Sequence, residues 1–153
     1  MLVGLPSKTI ADTWDVFKEV IRKAVPTMPD MLPDRMQRML YAAMTGRIQC
    51  WLLYEEDGSD EFYGGLVTRI SIDDLTGQKS LLIYAMASFK QASRKVREAD
   101  FKALKKIARE WGCANLSAYC PSKLVAETTI KANKGKGQII SYILLPTDIG
   151  EEG

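Results

Sequence analysis

The chain has 153 residues, 46% apolar and 26% charged, proportions suited to one globular domain over residues 1–153 that buries a core. It contains no histidine, which excludes a Ser-His-Asp triad, a Cys-His pair and a histidine-bearing zinc site. The net charge of +2 hides an asymmetry: residues 90–136 hold 12 basic and 4 acidic side chains, whereas residues 1–89 hold 9 basic and 12 acidic.

No apolar run approaches the ~20 residues of a membrane helix, and the N-terminus lacks the basic flank of a secretory signal. A cytoplasmic protein without a membrane partner is expected. Cys50, Cys113 and Cys120 are an odd set without CxxC spacing, so they predict small buried residues rather than a disulfide framework or thiolate metal site.

In chain order, Ser7 reads as a helix cap, followed by Ile10, Trp14, Phe17, Val20, Ile21 and Ala24 at helical spacing. Pro26 ends that helix. Pro33 starts a second one, with Met36, Met39, Leu40, Ala43 and Met44 as its inward stripe and Gly46 as its stop. The period then changes to that of strands. Residues 48–56 predict a strand ending at the turn signal Asp57-Gly58. A second strand covers 62–72, with Gly64-Gly65 marking a bulge or a close backbone approach. A third covers 79–87. Residues 97–111 form the clearest helix, with Phe101, Leu104, Ile107, Ala108 and Trp111 inward and Lys102, Lys105, Lys106 and Arg109 outward. A short strand at 115–120 follows, placed parallel to the third by the crossover helix. A helix at 121–133, with Leu124, Val125 and Ile130 inward, and a strand at 138–145 complete the pattern.

The predicted fold class is therefore a mixed α/β sheet: two helices, a three-stranded antiparallel meander, helix, parallel strand, helix, strand. Over residues 8–145 this order resembles the GNAT acetyltransferase superfamily, without that family's opening strand and one of its C-terminal strands. The strand Ile48-Gln49-Cys50-Trp51-Leu52-Leu53-Tyr54, the strand Gly64-Gly65-Leu66-Val67-Thr68-Arg69-Ile70 and the helix end Ala108-Arg109-Glu110-Trp111-Gly112-Cys113 running into Leu116-Ser117-Ala118-Tyr119 resemble small phage-encoded GNAT-like proteins, some of which are carried in virions.

The resemblance implies acetyl-CoA held where the third strand meets the next helix, by a Gln/Arg-x-x-Gly-x-Gly/Ala loop whose backbone N–H groups approach the pyrophosphate. In this chain the stretch is Ser88-Phe89-Lys90-Gln91-Ala92-Ser93-Arg94-Lys95-Val96. Gln91 matches the motif's first residue, but Arg94 and Val96 stand where small residues belong, and their side chains are expected to crowd the approach. Lys90, Arg94 and Lys95 then meet phosphate from the side, as point charges. The family's tyrosine on the helix after the parallel strand is missing. Tyr84 and Tyr119 are the substitutes near the cleft, each weighed against an ordinary buried aromatic with one bonded hydroxyl. Glu61 and Glu127 are carboxylates considered as a base, and Cys120 lacks a histidine to activate it.

The leading expectation is a catalytically degenerate phage protein of this fold, binding other proteins in the virion or host cytoplasm, with no cofactor. The alternative is an acetyl-CoA-dependent N-acetyltransferase, since aligning amine and thioester supplies much of the acceleration. A third reading takes the cations Lys102, Lys105, Lys106 and Arg109 as a nucleic-acid surface.

Overall fold

The computed structural model describes residues 1–24, 33–55, 61–120 and 123–139. Two compact units divide it, Met1–Tyr119 and Cys120–Gly153.

The first unit holds a five-stranded sheet in sequential order: β1 (Leu2–Gly4), β2 (Gln49–Tyr54), β3 (Phe62–Ile72), β4 (Lys79–Ser88) and β5 (Asn115–Ala118). The first four are antiparallel neighbours and β5 lies parallel to β4. The opening strand that the sequence reading lacked is thus present. Its three residues pair with β2, Leu2 opposite Leu53 and Gly4 opposite Trp51, and a neighbour rather than a local pattern makes them a strand. The 138–145 strand falls outside the described residues from 140 on; Gln138 and Ile139 are not in a strand. The turn expected at Asp57-Gly58 also lies outside them.

Helices cover both faces. On one lies α1 (Ile10–Ala24), preceded by a 3-10 turn at Ser7–Thr9, together with α2 (Arg35–Met44). Ser7 makes no side-chain cap; the helical chain begins after Pro6. The stripe of α1 is buried as predicted: Ile10, Trp14, Phe17, Val20 and Ile21 form a core with Cys50, Leu52, Val67 and Ala85. Gly65 lets α1 approach, since a Cβ there would meet Val20 Cγ2 at 3.1 Å. The stripe of α2 is shallower. Ala43 is buried, Met36, Met39 and Leu40 are half-buried, and Met44 is exposed.

The opposite face carries α3 (Arg94–Glu110), whose Leu104 and Ala108 pack on Trp51, Leu53, Tyr63, Leu66 and Leu81. The helix starts three residues before its first predicted residue. Its first turn, Arg94-Lys95-Val96, lacks apolar periodicity, but Ser93 Oγ caps it by accepting from the Val96 N–H at 3.2 Å. Gly112, at φ +76°, ends it: the Cys113 N–H donates to the Ala108 carbonyl and the Gly112 N–H to that of Arg109. The Lys79 ammonium donates to the Trp111 carbonyl at 2.9 Å, favourable at the negative end of the helix. Among the described residues, buried polar side chains are paired. Thr68 accepts from the Trp51 indole N–H and donates to the Gln49 side chain, both at 2.9 Å.

In the second unit, α4 (Lys123–Ala132) is followed by a turn in which the Asn133 amide donates to the Lys136 carbonyl. Leu124 and Val125, expected inward, are 73% and 54% exposed; Ile130 is half-buried.

Candidate active site

The third strand of the meander changes character at Tyr84. Before it, Ser80–Ile83 pair with β3 on one side and with Asn115–Ala118 of β5 on the other. Thr68 stands opposite Ile83 while Val67 stands opposite Ala85, so Tyr84 is an extra residue with no partner in β3. That is a β-bulge, which bends the strand that carries it. The pairing with β5 stops at Ile83–Ala118, and β4 continues to Ser88 paired with β3 alone among the described residues. Along such an edge, alternate N–H and C=O groups point outward and are open to a ligand. Met86, on this stretch, is 57% exposed.

The two candidate tyrosines meet there. Tyr119 follows the last residue of β5, and its ring packs edge-on against Tyr84 with centroids 6.2 Å apart. Neither is the deeply buried aromatic weighed from sequence: Tyr84 is half-buried and Tyr119 is 56% exposed, because β5 ends before it can cover them.

Beyond Ser88 the chain turns into α3. The N–H groups of Phe89 and Lys90 both donate to the Tyr63 carbonyl, at 2.7 and 3.2 Å, and Ala92 is buried in the α3-side core. These contacts fix the loop between strand and helix. At the helix start, the first N–H groups have no partner four residues back, and the aligned peptide dipoles make this end positive. The two side chains expected to crowd the approach, those of Arg94 and Val96, are both engaged within the chain. Arg94 lies along the helix with its Nε 2.8 Å from Glu98 Oε1, and Val96 packs against the α3-side core. Lys90 forms an ion pair with Glu61, so these two candidates meet each other. Ser88, Gln91 and Lys95 are exposed around the same turn.

Two residues that the sequence reading did not single out hold this arrangement. Tyr63, on β3, donates its hydroxyl to the carboxylate of Asp100, which is only 7% exposed on α3. The Met1 ammonium lies 3.1 Å from the other Asp100 oxygen. Burial, and then the Asp100 carboxylate, raise the Tyr63 phenol above its ordinary range, so it stays protonated and donating. Through its carbonyl Tyr63 holds the loop and through its hydroxyl it holds α3. The signal for it was an aspartate on the inward side of a helix, Asp100, which shares the 100-104-108 spacing with Leu104 and Ala108.

The remaining candidates lie apart. Glu127 sits 3.9 Å from Lys123 within α4. Burial pushes the Cys50 thiol up to about 12, consistent with a core residue, whereas Cys120 is exposed, against the expectation that all three cysteines are buried. Lys102, Lys105, Lys106 and Arg109 are exposed on α3, away from the core-facing side that holds Leu104 and Ala108. No helix among the described residues is long and apolar enough to cross a membrane.

No protein-family model matches the chain, and no curated protein sequence matches it. Solved structures do. An aminoglycoside N-acetyltransferase in complex with CoA superposes with a TM-score of 0.64 at 12% identity, covering 97% of this chain and 94% of that one. A ribosomal-protein-alanine N-acetyltransferase from Brucella melitensis gives 0.63 at 10% identity, covering 95% and 99%. A predicted acetyltransferase with acetyl-CoA from Clostridium acetobutylicum gives 0.63 at 14% identity, covering 95% of each. Nothing in these matches supports the phage origin, the virion role or the loss of the cofactor loop expected from sequence. The chain thus has the GNAT acetyltransferase fold, a mixed five-stranded sheet with helices on both faces.

Proposed function

We propose that the protein is an acyl-CoA-dependent N-acyltransferase. The observation that carries this reading is the bulge at Tyr84, after which β4 leaves β5 and runs as an open edge to the start of α3. An amide-bearing arm ending in phosphates suits these two features together: strand edge for the amides, helix N-terminus for the phosphates. Acetyl-CoA has that construction and supplies an activated thioester. Support for the fit also comes from Arg94 and Val96, whose side chains run along the helix and into the core, so that residues without glycine still leave the first turn approachable.

In this reading Ser88, Gln91 and the backbone of Arg94 and Lys95 hold the phosphate end, with Lys90 and Lys95 adding charge. Val96 anchors the turn from behind. Tyr84 and Tyr119 flank the reacting centre, and the hydroxyl of Tyr119 is the proton donor that a chain without histidine offers to a departing thiolate. Positioning of the amine and thioester carries most of the rate.

Calorimetric titration with acetyl-CoA tests this directly. Micromolar binding is expected, weakened about tenfold by an Arg94→Ala, Lys95→Ala double substitution, which removes charge-assisted contacts of about 1.5–3 kcal/mol. Absence of binding at millimolar acetyl-CoA overturns the reading.

A further inference from the structure

Outside the cleft, the solvent side of α3 has an unusual composition. Lys95, Lys102, Lys106 and Arg109 recur at spacings of seven, four and three residues, which at 3.6 residues per turn keeps them on one side of the helix. Arg94 and Lys105 flank that line, and every one of these side chains is exposed. The carboxylate interleaved with them, Glu98, is in an ion pair with Arg94 at 2.8 Å. At 1.5 Å per residue the line from Lys95 to Arg109 spans about 21 Å.

The fold does not require this row. The core-facing side of α3, with Leu104 and Ala108 buried, packs the helix onto the sheet. Like charges three and four residues apart disfavour the helix, and Arg94 and Lys95 oppose the positive end of its dipole. Such a surface is stabilised by an external polyanion, which removes that repulsion.

The chemistry distinguishes between polyanions. Protein interfaces deplete lysine and centre on buried aromatic or apolar anchors. The row on α3 has no such centre. Phe101, beside it, lies under the Lys105 ammonium at 5.5 Å, and Trp111 is turned onto Trp51 with ring centroids 5.9 Å apart. Single-stranded nucleic acids are held by aromatic platforms on which bases stack, and these rings are already occupied. A row of cations alone matches the regularly spaced phosphates of a duplex. We propose that the solvent face of α3 docks the phosphate backbone of duplex nucleic acid without reading its sequence. This surface is separate from the acyl-CoA site and does not depend on that assignment.

Fluorescence anisotropy of the intact protein with a labelled duplex of about 20 base pairs, from about 50 to 200 mM salt, tests the proposal. The wild type should bind with an affinity that falls steeply with salt. A Lys102→Gln, Lys106→Gln, Arg109→Gln triple variant should lose at least about tenfold at the lowest salt, and its salt slope should shrink by about 2.7. A control of equal charge change elsewhere in the unit, Arg22→Gln, Arg38→Gln, Arg47→Gln, should remain within about threefold, with circular dichroism showing both variants folded. Equal losses in the two variants reduce the effect to net charge and overturn the proposal. So does tighter binding of the corresponding single strand, or no duplex binding at the lowest salt, which would leave the face to an acidic protein.

Discussion

The two halves of β4 have different tasks. In Lys79–Ile83 the strand is flanked by β3 and β5, and Leu81 at its centre is fully buried. In Tyr84–Ser88 it keeps β3, leaves β5 and exposes Met86. One half stabilises the sheet; in the proposed acyltransferase the other offers backbone to a ligand. The difference is made by a single inserted residue rather than by composition, since both halves are apolar. It teaches that exposure in this strand follows from register, and that stability and binding should separate when each half is altered.

The largest expected effect is on the paired half. Leu81→Ala should destabilise the protein by about 2–5 kcal/mol in urea unfolding, through lost burial and a residual cavity. Met86→Ala on the open half should stay within about 0.5 kcal/mol while weakening acetyl-CoA binding. Similar destabilisation by both would contradict the division. A sharper probe is Gly64→Ala, because a Cβ there would lie 2.5 Å from the Ala87 carbonyl oxygen, so β3 and β4 must separate beside the open edge. About 1–3 kcal/mol of lost stability is expected, with a larger proportional loss of acetyl-CoA affinity than Leu81→Ala produces. Unchanged affinity would place the ligand elsewhere.

Tyr63→Phe removes a single oxygen. It leaves the carbonyl that holds Phe89 and Lys90 but removes the hydroxyl that satisfies Asp100. A buried acceptor left unsatisfied costs about 1–3 kcal/mol, and more when it is charged. Pairing the change with Asp100→Leu should recover part of that stability in thermal melts, because two apolar groups leave no stranded acceptor. Additive losses would mean that the two side chains act independently. If Tyr63 positions the α3 turn, the single variant should also raise the KM for acetyl-CoA more than it lowers kcat.

Much of this fold was legible in the chain. The stripe from Ile10 to Ile21 repeats at the helical period and is buried as predicted, and the strand at Phe62–Ile72 has the bounds expected from its strand-forming residues and flanking turns. Elements with weak local signals were missed or displaced. The three residues of β1 are too few for periodicity, and the first turn of α3 is a run of charge whose helical form depends on the Ser93 cap. Leu124 and Val125 have an inward-looking spacing that the second unit leaves exposed.

For the site, the same distinction applies. Residue identity determined the absence of histidine chemistry, the concentration of cations in 90–136 and the segment, Ser88–Val96, where strand passes into helix. Only the tertiary structure decided that Tyr84 is a bulge, that Tyr119 meets it edge-on, and that Asp100 is buried between Tyr63 and the Met1 ammonium. Composition and periodicity are properties of a chain read locally, whereas register, splay and the partner of a buried charge arise only when distant segments pack against one another.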